Sequence, residues 1–77
     1  MKWHVDGTRQ RARGAQCDYQ IDPSANPRRV ELTALIGGFW SSLGFFDSAM
    51  DARRWAEMYD TATPTKQREM VGGMAWT

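Results

Sequence analysis

The feature that most narrows the possible folds is a pair of matching runs in the middle of the chain. Arg29-Val30-Glu31-Leu32-Thr33-Ala34-Leu35-Ile36 repeats with a period of two, Gly37-Gly38 follows, and Phe39-Trp40-Ser41-Ser42-Leu43-Gly44-Phe45-Phe46 returns. A period of two marks a half-buried strand, and a Gly-Gly pair accepts the positive φ angles of a tight hairpin turn. A two-residue loop then predicts the pairs Ile36–Phe39, Ala34–Ser41, Leu32–Leu43 and Val30–Phe45, in which only Ser41 is polar. A one-residue slip would scatter that apolar set, so the pattern supports its own register. The other face of the hairpin would carry Leu35–Trp40, Thr33–Ser42, Glu31–Gly44 and Arg29–Phe46.

A helix is expected next, over residues 48–61. Asp47 or Ser48 can cap it, and Ser48 with Asp51 resembles a capping box. Ala52, Trp55, Ala56 and Tyr59 recur at i, i+3, i+4 and i+7, an apolar stripe that fits across the Val30/Leu32/Phe45 face. Upstream, Cys17, Tyr19 and Ile21 alternate with Asp18, Gln20 and Asp22, which reads as a further strand. Trp3 and Val5, followed by Asp6-Gly7, suggest another. Residues 8–14 fit either a basic strand or a mobile loop. Thr63-Pro64 opens a short helix over 64–71 that Gly72 would close, and Met74 to Thr77 would form a tail. The expected fold is α+β, a three- to four-stranded antiparallel sheet packed on one main helix, with a short C-terminal helix. It divides into a basic segment over 1–14, a sheet-plus-helix core over 15–62, and a short helix and tail over 63–77.

Seventy-seven residues allow one small domain with a thin core. Cys17 is the only cysteine, so no disulfide closes within the chain, and with His4 as the only histidine a four-ligand zinc site is not expected. The nine aromatic residues, four of them Trp, must supply the packing or seek a partner. The N-terminus lacks the apolar stretch of a signal peptide, no run approaches the roughly 18 apolar residues of a membrane span, and a free cysteine suits a reducing compartment. A cytoplasmic location away from membranes is the resulting expectation.

No arrangement of residues points to catalysis. His4 has neither a nucleophile nor an orienting acid beyond the local Asp6, Cys17 reads as a small core residue, and Gly37-Gly38 lacks the spacing and lysine of a phosphate loop. No cofactor and no small-molecule substrate is expected. The net charge of +1 is far from the footprint of a strongly basic DNA binder. Eight of the ten basic residues are Arg, however, the side chain suited to bidentate recognition and stacking. Arg9, Arg11 and Arg13 would share one side of a strand and form a ladder for phosphates or an acidic protein groove. Trp40 is either covered by a terminal segment or an exposed anchor. The candidate partner contacts are therefore Arg9, Arg11, Arg13, Asp18, Gln20, Asp22, Arg29 and Trp40.

Thr8-Arg9-Gln10-Arg11-Ala12-Arg13-Gly14, the strands after it, and Leu43-Gly44-Phe45-Phe46-Asp47-Ser48-Ala49-Met50-Asp51-Ala52 leading into an Ala/Arg-rich helix resemble the AP2 DNA-binding domain and the arm-binding domains of phage-type integrases. The resemblance implies a three-stranded sheet on one helix that reads the DNA major groove, with Arg9 and Arg11 as contacts, joined by Arg29 and Trp40. Gln16-Cys17-Asp18 departs from the AP2 pattern, and the Pro23–Pro27 loop is longer. In size and character the chain is also similar to small phage-borne inhibitors such as the anti-CRISPR proteins. Two expectations follow. The first is a non-enzymatic inhibitor that docks on a larger, nucleic-acid-handling protein complex and blocks it sterically. The alternative is a sequence-specific DNA-binding module.

Overall fold

The computed structural model describes residues 1–75, with side chains described as far as Val71. Five strands, β1 (Trp3–Asp6), β2 (Arg9–Arg13), β3 (Asp18–Pro23), β4 (Val30–Ile36) and β5 (Phe39–Phe46), precede two helices, α1 (Ala49–Thr61) and α2 (Pro64–Ala75). The strands form one antiparallel sheet in chain order, and α1 and α2 pack on the same side of it. The architecture is α+β, with one strand more than the largest sheet expected and two helices of nearly equal length. No helix among the described residues is long and apolar enough to cross a membrane.

The extra strand comes from residues 1–14, where β1 and β2 pair as a hairpin. Its β2 has only Gln10 and Ala12 to turn inward, too little apolar character for alternation to show. Trp3 provides the missing cover. It pairs with Ala12 across the sheet, its indole Nε1 donates to Glu57 of α1 at 3.3 Å, and the Arg53 guanidinium lies 5.8 Å from its ring centroid. Arg53 also donates to Gln10 at 2.7 Å, so α1 reaches across the sheet to β1 and β2.

The core is Tyr19, Ile21, Leu32, Ala34 and Leu43 from the sheet and Ala52, Ala56 and Tyr59 from α1. Ser48 caps α1 by accepting from the Asp51 N–H at 3.1 Å. The α1 stripe lies inward as the periodicity requires, with Trp55 stacked on Tyr59 at 5.3 Å between centroids. α2 runs through Gly72 instead of ending there, and Met70 and Val71 pack against the core. The expected tail residues Trp76 and Thr77 lie outside the described residues.

The hairpin register holds only near its turn. Gly37 and Gly38 have φ of 60° and 83°, and Ile36–Phe39, Leu35–Trp40, Ala34–Ser41 and Thr33–Ser42 pair as the sequence predicts. Beyond them a bulge intervenes, and Leu32 pairs with Gly44, Glu31 with Phe45 and Val30 with Phe46. The expected Leu32–Leu43 and Val30–Phe45 pairs do not form. The cause is packing. Leu43 and Phe46 are three residues apart, so a regular strand would send them to opposite faces. One extra residue brings both under α1, and Gly44 provides the φ of 141° that the bulge demands. Phe46 consequently packs on Trp55 at 5.7 Å, while Phe45 turns away and stays 50% exposed.

This register is open to a direct check by urea denaturation. Phe46→Ala should cost about 2 kcal/mol or more as a packed aromatic, and Phe45→Ala less than about 1 kcal/mol as an exposed one. An unbulged strand would reverse that order.

Candidate functional site

With both helices on one side, the opposite side of the sheet is left open. Antiparallel neighbours point the same way, so the register assembles this face from outward-pointing residues of all five strands. One row runs Asp6, Arg9, Asp22, Glu31, Phe45. The next runs His4, Arg11, Gln20, Thr33, Ser42. The third joins Arg13 and Asp18 with Leu35 and Trp40.

The structure brings seven of the eight expected contact residues together on this face. Arg9, Arg11 and Arg13 do form a ladder along β2, and Trp40 is exposed on the same side, with 43% of its surface open. Gln20 lies at the centre of the face and is almost fully buried among its neighbours. Arg29 stands apart, just before β4, with its side chain 3.5 Å from the Asp47 carboxylate beside the start of α1. Sequence reasoning missed Phe45, which it placed in the core, and it gave His4 no role beyond an ordinary surface position. Only Gly44 hinted at the phase change that turns Phe45 outward.

The ladder is not a bare basic stripe. Arg9 donates to Asp22 at 2.7 Å, and Arg13 lies 3.7 Å from Asp18. Asp6 and Glu31 extend the same row, so the strands place one more carboxylate than guanidinium on the face. Arg11 is opposed by His4 and Gln20 and has no ion pair among the described residues. Beside it His4, Arg11, Arg13, Asp18 and Trp40 line a shallow depression of about 180 Å³.

The ladder is held in place from the far side of the sheet. The β2–β3 turn presents the N–H groups of Ala15 and Gln16 to the Asp60 carboxylate at 2.7 and 3.0 Å, and the Tyr19 hydroxyl donates to it at 2.9 Å. Gln16 donates in turn to the Asp60 and Ala62 carbonyls, and Gln67 of α2 donates to Gln16 and to the Tyr59 carbonyl. A Cβ at Gly14 would run into the Asp60 carboxylate and the Tyr19 ring, so only glycine lets the turn come this close. Burial raises the Asp60 pKa, but its hydrogen-bond donors outweigh that and hold it below its ordinary 3.8. Burial, with hydrogen bonds to Cys17 and Asp60, drives the Tyr19 hydroxyl far above its usual range.

Cys17 lies in this turn, partly buried against the core, and burial pushes its thiol above 9.0. It stays protonated at neutral pH, which is unfavourable for thiolate chemistry. Among the described residues no group of His, Cys, Asp and Glu is placed to hold a metal ion. No family model, curated protein or solved structure matches the chain.

Asp60→Ala leaves the turn amides and the Tyr19 hydroxyl without a partner and should destabilise the fold by about 2–4 kcal/mol. The pH dependence follows from the lowered pKa. The Asp60 contribution is complete above pH 3.8 and is lost as pH falls through the lower folded-state value. Urea denaturation at a series of acid pH values should show that loss in the native chain and a shallower one in Asp60→Asn.

Proposed function

We propose that this chain is a non-enzymatic binding protein that docks the open face of its sheet on a protein partner and acts by occupying the partner's surface. The observation that carries this reading is the pairing of charges across β2 and β3. A sheet that grips nucleic acid through phosphates needs an excess of cations to release counterions. Here Asp18 and Asp22 oppose Arg13 and Arg9, Asp6 and Glu31 add further negative charge, and a polyanion would meet repulsion along most of the face. Balanced charge around exposed Trp and Phe side chains suits a protein–protein interface, where aromatic residues and Arg carry much of the energy. Small size and near-neutral charge support the finer reading of a phage-type steric inhibitor, anti-CRISPR-like in character, acting on a complex that handles nucleic acid.

Fluorescence anisotropy with a random DNA duplex pool separates this reading from the AP2 or integrase-arm alternative. At about 50 mM salt the chain should show no appreciable binding, and none should appear at about 200 mM. Binding that weakens by orders of magnitude over that range, and disappears in an Arg9/Arg11/Arg13→Ala variant, would make the chain a DNA-binding module instead. For a captured protein partner, Trp40→Ala should lower affinity about thirtyfold, roughly 2 kcal/mol, with the chain still folded by its melting curve.

A further inference from the structure

The two free edges of the sheet are built differently. β1 is four residues long and carries His4 and Asp6. β5 is eight residues long and contains neither a charged residue nor a proline. A free edge exposes unpaired N–H and C=O groups, and natural sheets guard it with charges, prolines, short strands or bulges. Of these β5 has only the bulge at Leu43, and no described strand pairs with its outer side. Phe39 is 77% exposed on it, Phe45 50%, Trp40 43%, and Ile36, at the end of β4 beside the turn, 43%.

We infer that β5 is a self-association edge, through which two copies of this chain pair antiparallel about a twofold axis into one ten-stranded sheet. The bulge is the first argument. Pairing β5 with itself over its whole length sets Phe39 opposite Phe46 and Trp40 opposite Phe45. In a regular strand the members of each such pair would point to opposite faces. The extra residue at Leu43 shifts the phase, so Trp40 and Phe45 both lie on the open side, and Phe39 and Phe46 both lie on the helix side. The pairs Phe39–Phe46, Trp40–Phe45 and Ser41–Gly44 are thereby consistent with a twofold contact, and the mismatch is confined to the axis, where Ser42 faces the open side and the bulged Leu43 turns into the core.

Charge and area agree. An uncharged strand edge matches another uncharged edge without leaving a buried ion unpaired. Taking an aromatic side chain at about 150–250 Å², the exposed parts of Ile36, Phe39, Trp40 and Phe45 come to roughly 400 Å² per copy. That is about half of the roughly 800 Å² each partner buries in a stable complex, and the backbone edge of the strand adds to it. A contact at this low end of specific interfaces makes a weak association, which is sought in the micromolar range.

Sedimentation equilibrium of the full chain from about 1 to about 300 μM tests the inference across that range. The average mass should climb from 8.8 kDa toward twice that value. Ser42 is exposed and sits beside the twofold axis, so Ser42→Lys brings two like charges together and should weaken the dimer at least about tenfold. Phe45→Lys, which replaces an exposed ring with a guarding charge, should do the same. Melting curves unchanged in both variants establish that the fold is intact. Val5→Lys, on the opposite edge, should leave association unchanged. A chain that stays monomeric to the highest concentration would overturn the inference. So would a dimer that survives both β5 variants, or one that is lost in Val5→Lys.

Discussion

The carboxylate of Asp60 accepts two backbone N–H groups from the β2–β3 turn and the hydroxyl of Tyr19, so the sheet and the helical layer meet at one nearly buried charge. An unpaired carboxylate there would be costly. Each of its oxygens has a donor, and charge-assisted bonds of this kind are stronger than neutral ones. What they hold is the position of β2. That strand has little apolar surface of its own, and its outer neighbour β1 is short. Gly14, Gln16, Tyr19, Asp60 and Gln67 together tie one end of the β2–β3 ladder to the junction of α1 and α2. Placement of Arg9, Arg11 and Arg13 on the far side depends on that anchor.

The charges on the open face contribute little to folding. Exposed ion pairs are worth about 0–1 kcal/mol each, and cross-strand pairs are similar. Their consequence is for recognition. Alternation sends Arg to the outside of β2 and Asp to the outside of β3, and the antiparallel register sets two of them within ion-pair distance. The result is a patterned surface on which Arg11, without an ion pair among the described residues, shares a depression with Trp40. Such patterning governs which partner fits and how fast it arrives more than how tightly it is held.

Much of this face was legible because it rests on alternation alone. Asp18, Gln20 and Asp22 can be assigned to the side opposite Tyr19 and Ile21 without any knowledge of pairing, and Trp40 follows from the two-residue turn. The bulge was not legible. Leu43, Phe45 and Phe46 offer two ways to alternate, and the choice is made by the Trp55 ring, which takes Phe46. Asp60 was also hidden, since at the end of a helix it looks like any solvated acid, and the groups it binds lie 41 to 45 residues away in the chain. Residues 8–14 were ambiguous because a strand covered mainly by Trp3 and Arg53 needs little apolar character of its own. α2 crosses Gly72-Gly73, where local propensity favours an end, while Met70 and Val71 anchor its preceding turn against the core.

The bulge also relates the two surfaces. By turning Phe45 out and Phe46 in, it gives the sheet a tighter core and leaves an aromatic residue at the margin where the open face meets the β5 edge. Trp40 lies at that same margin. In a paired form the Trp40 and Phe45 rings of both copies would line the seam between two open faces. The Arg and Asp rows of β2 and β3 would then flank an apolar strip on either side. An apolar centre with a charged periphery is the usual anatomy of a protein-recognition surface. A single copy has only half of it, with its aromatic residues at one border. Pairing would therefore enlarge the proposed docking face and centre its aromatic residues while leaving the charge pattern of each copy unchanged.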